Sequence, residues 1–442
     1  MASFISFGVG TSIKENIVEA AEEAAQLARS KIEKDPQLLI VFCTFNYDSK
    51  QYSEALKKIR SFFPAGTPLV GGTALSFFGD GKVFDAFSTG GKERGVGVFA
   101  VASDYLKIGV GLGDGVDKDP EAAGRIAITS ALENLDYNPS VAYMAMVQRG
   151  AKDMINFRPM NGLIITPGGT PKHLFIGNSI LRGITSVTKK AVRLTGGGTG
   201  CLITQDGQFT PTYQFFGDEV YNEAVITVVF GSDLEIGYGT ASGFQPLGPG
   251  VFVNKAEGWT IKEIEGKPAV EAMAVMFEKE IGIKKEDFVK GPLYAIGAKG
   301  YGFGISEVAS KSYWPIVPLA VTKEGYVVVT TEVKNGMGIA LVENKKENCK
   351  NAAVEAAQIM ADDVKTADFG LVIMFSCAMR GFILREEYAQ EMDMIKQVTG
   401  KETAVFGLGS AEEIGFYRTG DMMGSNYIIT MMGVSNKLIS EV

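Results

Sequence analysis

One block of sequence, about 125 to 130 residues long, recurs along this 442-residue chain and limits the folds open to it more than any other feature. In the first copy P-L-V-G-G-T-A-L-S-F-F-G-D-G-K-V-F is followed by V-G-V-F-A-V-A-S-D-Y-L-K-I-G-V-G. In the second, R-L-T-G-G-G-T-G-C-L-I-T-Q-D-G-Q-F is followed by V-I-T-V-V-F-G-S-D-L-E-I-G-Y-G. Ser103-Asp104 and Ser232-Asp233 hold equivalent places, as do Ile108-Gly109 and Ile236-Gly237. The period exceeds that of solenoid repeats, so it reads as duplication of a domain. A third copy closes the chain, with V-I-M-F-S-C-A-M-R-G-F-I-L and then V-F-G-L-G-S-A-E-E-I-G.

Each copy opens with an alanine-rich helix. Ser12-x-x-Glu15 is a capping-box pattern, and Ile13, Ile17, Ala20, Ala21, Ala24, Ala25 and Ala28 then recur at helical spacing. Asp119-Pro120 opens the second helix, with Ala123, Ile126, Ala127, Ser130 and Ala131 on one face, and Asn348 starts the third along Ala352, Ala353, Ala356, Ala357, Met360 and Val364. Alanine on the buried face lets a helix lie close to a sheet. An apolar strand follows each helix (Leu38 to Phe42, Leu163 to Thr166, Phe369 to Phe375), then a second helix (Tyr52 to Phe63, His173 to Lys189, Arg385 to Thr399) and a glycine-containing strand leading into an antiparallel pair. The unit is α-β-α-β-β-β. Its sheet exposes one hydrophobic face until a neighbour covers it, so the expected fold is mixed α+β, with packed, partly antiparallel sheets and helices outside.

Between the second and third copies lies hairpin material: turns at Glu257-Gly258 and Glu265-Gly266, a helix from Pro268 to about Glu280, and a second hairpin formed by Val317 to Thr322 and Tyr326 to Thr331. Gly297 to Ser306 is dense in glycine and reads as a loop. The expected division is residues 1–241, holding repeats 1–113 and 114–238, and residues 242–442, holding a hairpin-rich segment 242–345 and the third repeat 346–442.

Composition removes several function classes. A net charge of -8 without a basic run disfavours nucleic acid and anionic membranes, and the apolar stretches are strand-length, which argues against membrane insertion. The N-terminus reads as a first strand and not a signal peptide, so the expected location is cytoplasmic. Cys43, Cys201, Cys349 and Cys377 are scattered without zinc or disulfide spacing, and a single histidine, His173, leaves little scope for a histidine-based metal site or a Ser-His-Asp triad.

The candidate site residues lie on two recurring loops, one after the apolar strand and one in the glycine strand. If both lie at one end of the sheet they face each other across a crevice, where backbone N–H groups would favour a carboxylate. In the third copy, Ser376, Cys377, Arg380 and Gly381 would face Glu412 and Glu413. Arg380 could clamp a carboxylate while an acid holds an ammonium group, which suits an amino-acid-like ligand. The alternative is a structural Arg380–Glu413 salt bridge, with Ser376 capping the helix. Cys377 beside Arg380 could be an activated nucleophile of a hydrolase or transferase, or an inert buried thiol. A second candidate pocket pairs Gly168, Gly169 and Thr170 with Gly197, Gly198 and Thr199, although neither stretch has P-loop or dinucleotide spacing and glycines in strands commonly serve close packing. His173 reads as a surface or capping residue, with haem ligation as the alternative.

These segments together resemble the FIST family of sensory domains, an N-terminal FIST domain over roughly the first 240 residues and a C-terminal one over the rest. The resemblance rests on P-L-V-G-G-T-A at Pro68 to Ala74, L-T-G-G-G-T-G-C at Leu194 to Cys201, W-T-I-K-E-I-E-G-K-P-A at Trp259 to Ala269, F-S-C-A-M-R-G-F at Phe375 to Phe382 and E-I-G at Glu413 to Gly415. It implies a non-enzymatic sensor in signal transduction that binds an amino acid or other small carboxylate. With both halves counted, no length remains for an output domain, so a separate signalling protein such as a kinase is the expected partner. One group that is similar to the family binds haem and senses nitric oxide, and haem is therefore the alternative cofactor to none. Two positions depart from the family pattern: Ser76-Phe77 stands where a Gly-Glu pair is usual, and Ala411-Glu412-Glu413 replaces a small-Gly-Glu run.

Overall fold

The computed structural model describes residues 4–135, 160–170, 175–189, 191–200, 210–290, 293–307, 312–417 and 420–439. Within them, three six-stranded sheets have the same plan. The first runs Ser6–Ser12, Val96–Ala102, Leu38–Thr44, Leu69–Ala74, Tyr213–Phe216, Glu219–Asn222. The second runs Leu106–Gly113, Val225–Ser232, Met160–Pro167, Val192–Thr199, Glu413–Phe416, Met422–Ser425. The third runs Leu234–Ala241, Ile429–Leu438, Phe369–Cys377, Ala404–Ser410, Ser76–Gly79, Lys82–Asp85. In each sheet the two central strands are parallel and the remaining pairs antiparallel.

Each repeat therefore has one strand ahead of the α-β-α-β-β-β unit and one more strand after its second helix than that unit allows, and it sends its hairpin to a different sheet. The hairpin at residues 76–85 completes the third sheet, that at 213–222 the first, and that at 413–425 the second. The exchange is cyclic. The inner faces of the three sheets share one core, with Phe42, Phe99, Ile165, Val228, Phe375 and Phe406 among its buried members. Phe99 of the first sheet stacks on Phe406 of the third at 4.3 Å between ring centroids.

Helices cover the outer faces, Ile17–Ser30 and Ser49–Arg60 on the first sheet, Pro120–Asn134 and Gly177–Thr188 on the second, Lys346–Val364 and Gln390–Thr399 on the third. The alanine faces explain how close they come. A methyl placed on Gly10 would lie 1.9 Å from the carbonyl oxygen of Ala24, on Gly111 2.0 Å from that of Ala127, and on Gly239 1.8 Å from that of Ala356. Glycine on the strand and alanine on the helix thus meet backbone to backbone in all three repeats.

Several sequence expectations shift by a turn. The first helix is capped by Asn16, whose side chain accepts from the N–H groups of Val18 and Glu19, while Ser12 Oγ donates to Glu23; Ile13 lies outside the helix and is exposed. Asp119 caps the second helix as its sequence indicates, but Ile126 is exposed and Ile128 and Leu132 take the buried face. The third begins at Lys346.

The intervening segment forms a body of its own around a sheet ordered Ser312–Ile316, Tyr301–Glu307, Gly338–Glu343, Val251–Glu257, Thr260–Ile264, Val327–Val329, Pro318–Val321. The glycine-dense stretch expected as a loop is largely the strand Tyr301–Glu307, because its odd-numbered residues, Tyr301, Phe303 and Ile305, alternate with small ones and join the apolar cluster beneath helix Ala269–Ile281. This body attaches where Asn344 Nδ2 donates to the Ser242 carbonyl at 3.0 Å, and Phe244, Val317 and Val342 pack against Cys377 and Tyr427. If backbone contact sets the helix-to-sheet distance, Ala356→Leu should cost about 1–3 kcal/mol through overpacking, read as a lower urea midpoint with an unchanged slope.

Candidate functional site

The strand Phe369–Cys377 is apolar and almost wholly buried until it ends at Ser376 and Cys377, where the chain turns into the short helix Met379–Leu384. Arg380 on that turn points inward and is 0 % exposed. Its Nε and Nη2 donate to Glu391 Oε1 at 2.8 and 2.6 Å, Nη2 also reaches the Cys349 carbonyl at 2.6 Å, and Ser376 Oγ donates to Glu391 Oε2 at 2.7 Å. Arg380 Nη1 has no hydrogen-bond partner among the described residues. The structural pairing weighed from the sequence therefore exists with a different acid: Arg380 binds Glu391 and not Glu413, and Ser376 bonds that same carboxylate instead of capping a helix. With its fork occupied and buried, Arg380 does not present its guanidinium to solvent in this structure.

Glu412 and Glu413 point apart from one another. Glu412 Oε2 accepts the Gly177 N–H at 2.9 Å, so the third repeat's hairpin caps a second-repeat helix whose own N-cap residue, Ile176, offers no side-chain acceptor. Burial, opposed by that hydrogen bond, raises the Glu412 carboxyl from 4.5 to about 7. Glu413 accepts from Ser410 Oγ at 2.7 Å and from the Ile428 N–H at 3.4 Å, and burial pushes it well above the usual carboxyl range. The Cys377 thiol, buried and next to Glu413, is likewise pushed well above its ordinary value, which keeps it protonated and unsuited to nucleophilic attack.

Strand register shows what Glu413 replaces. Glu413 pairs with Gly197 as Gln214 pairs with Gly72 and Phe77 with Leu408. Gln214 repeats the pattern in neutral form, donating to Thr199 Oγ1 at 2.8 Å and accepting the Ala224 N–H at 2.8 Å. Phe77 fills the place with a ring lying against Gly95 and Gly97. The same junction is thus apolar, amide or acid in the three sheets.

At the second candidate pocket the glycines serve packing. Gly168, Gly169, Thr170, Gly197, Gly198 and Thr199 are all buried. A methyl on Gly168 would meet the Thr199 carbonyl oxygen at 2.0 Å, one on Gly198 the Gly168 Cα at 2.8 Å, and one on Gly197 the Ser410 Cβ at 2.6 Å. Thr170 Oγ1 donates to Asp117. His173 lies outside the described residues, and among those described no group of His, Cys, Asp and Glu is placed to hold a metal ion.

Open space lies on the outer side of the Met379–Leu384 turn. A cleft of about 490 Å³ separates it from the inserted body and is lined by Lys299, Tyr301, Asn344, Phe382, Ile383 and Arg385 among others. An adjoining recess of about 460 Å³ adds Ser88 and Gly381. Of the sequence candidates, Gly381 reaches this space. Another cleft, about 640 Å³, lies where the second and third sheets meet, but its Arg193 is already paired with Asp363 at 2.9 Å and stacked on Tyr238.

The FIST N domain matches residues 37–267 and the FIST C domain residues 273–415. The chain belongs to the FIST family. FIST domains are sensory domains for small ligands in signalling proteins. No curated protein matches. Among solved structures, a cyanuric acid hydrolase from A. caulinodans is similar at a TM-score of 0.25, with 8% identity over 52% of this chain and 72% of that one, a likeness too slight to bear on function. No helix among the described residues of this FIST protein is long and apolar enough to cross a membrane.

Glu391 and Arg385 escaped the sequence reading of this FIST chain. Glu391 did leave a signal, since it shares a helical stripe with the buried Ile395 and Thr399, and an acid there needs a cationic partner. Removing it alone, as in Glu391→Ala, should cost about 3–5 kcal/mol by leaving Arg380 buried and unpaired, and Arg380→Met with Glu391→Leu should cost much less; urea denaturation of the single and double variants measures the difference. Glu412 yields a pH prediction. Its folded value lies above the unfolded one, so its stabilising contribution is full below about 4.5 and is lost as pH rises to about 7. Glu412→Gln should flatten stability across that window by up to about 3 kcal/mol in pH-dependent denaturation.

Proposed function

We propose that this FIST protein is a non-enzymatic sensor whose small carboxylate-bearing ligand, an amino acid or organic acid, seats in the cleft between the inserted body and the Met379–Leu384 turn. The observation carrying this reading is the position of the cleft. One wall, Ala298–Tyr301, belongs to the inserted body, and the other, Phe382–Glu386, belongs to the three-sheet body. A ligand touching both walls favours whichever relative placement lets it do so, and that differential contact is what a sensor requires. Burial of Arg380, Glu412 and Glu413 in internal pairs and caps supports positioning roles for them: Arg380 anchors the turn to Glu391 and so fixes the cleft floor.

The bodies are joined at Ser242–Phe244 and Asn344, with Gly243 at φ 78° at the crossing. Movement there would change a surface read by a separate signalling protein, of which a kinase is one example. A thermal-shift screen of amino acids and small organic acids tests the reading. At least one class should raise the melting temperature, Phe382→Ala should abolish the response, and Arg193→Gln in the other cleft should leave it intact. A panel that shifts nothing, or a response indifferent to Phe382→Ala, sinks the proposal.

A further inference from the structure

Resting on the reading of the cleft just given, we infer that its ligand carries two anionic groups on a short apolar spacer, one held by Lys299 of the inserted body and the other by Arg385 of the three-sheet body. The charges on the walls lead to this. Of the cations lining the cleft, Lys345 is paired with Glu343 at 2.7 Å, and Lys346 with Glu387 at 2.8 Å and Glu386 at 3.3 Å. Lys299 and Arg385 make no ion pair among the described residues, and both side chains are exposed. The two uncompensated charges therefore stand on opposite walls.

The lining is mixed and includes an apolar portion. Ala298, Phe382 and Ile383 contribute to it, and Phe382 is held edge-on by Phe87 at 5.1 Å between centroids. A monoanion can satisfy one wall, whereas a dianion of matching length satisfies both and draws them together. The spacer would rest on Phe382.

The backbone at Arg385 is strained as well. Arg385 has φ 53° and ψ -124°, a conformation that suits glycine and strains any residue with a side chain. Strain of this kind concentrates at ligand clamps. Lys189 has nearly the same geometry, φ 55° and ψ -115°, after helix Gly177–Thr188, but Arg385 alone of the two lines the cleft.

Calorimetric titration of the full chain with glutarate against butyrate, and with phthalate against benzoate, at low and high salt, is the experiment. The dianion of at least one pair should bind roughly tenfold more tightly than its monoanion, with the advantage shrinking as salt rises. Lys299→Gln and Arg385→Gly should each bring that dianion within about threefold of the monoanion. Arg385→Gly should also melt no lower than wild type, since glycine relieves the main-chain strain; a lower melting temperature would assign Arg385 to the fold and overturn the inference. Monoanions binding as tightly as dianions, with Phe382→Ala still abolishing both, would remove the second anionic group while leaving the sensor reading in place. No binding by either kind of anion would remove both.

Discussion

The exchange of hairpins among the three sheets is the constraint on which the rest of the molecule depends. A repeat taken alone would expose the inner face of its sheet and lack the two outermost strands. By giving its hairpin to one neighbour and receiving one from another, each repeat completes a six-stranded sheet and closes a shared core. The strands at residues 76–85, 213–222 and 413–425 are therefore the points at which the repeats hold one another. Glycines on the first strand of each repeat bring the outer helices into backbone contact, so both faces of every sheet are covered.

That arrangement governs where charge can lie. The crossing hairpins fill the end of each sheet where a crevice between loops was expected, and the polar side chains there become structural. Phe77, Gln214 and Glu413 occupy one equivalent position in apolar, amide and acidic form. The acid survives burial by accepting hydrogen bonds and by a raised affinity for its proton. Arg380 and Glu391 solve the same problem as a pair. Such a network gives little net stability over a well-packed apolar one, but it holds the Met379–Leu384 turn in one place. The outer face of that turn borders the inserted body, and Lys299 and Arg385, which have no ion pair among the described residues, line this seam.

Much of the fold was legible in the chain. The repeat, the alanine faces and the Asp119-Pro120 start all follow from local periodicity and capping chemistry, and the alternating Tyr301, Phe303 and Ile305 carried a strand signal that the surrounding glycines obscured. Ser12 and Asn16 show the limit of local signals: both can cap a helix, and Asn16 does so while Ser12 serves Glu23. Ile126 lost the buried face to Ile128 and Leu132 because the neighbouring helix Gly177–Thr188 decides which side of Pro120–Asn134 is covered.

What the sequence determined by itself was the class of fold and the family, because composition, periodicity and motif are properties of neighbours along the chain. Partnership was decided only in three dimensions. Whether Arg380 met Glu391, Glu413 or a ligand depended on the angle of a later helix, and whether Glu412 faced solvent or the start of the Gly177–Thr188 helix depended on the exchange between repeats. Those contacts join residues far apart in the chain, and burial, not residue type, turned the candidate clamp into an internal ion pair.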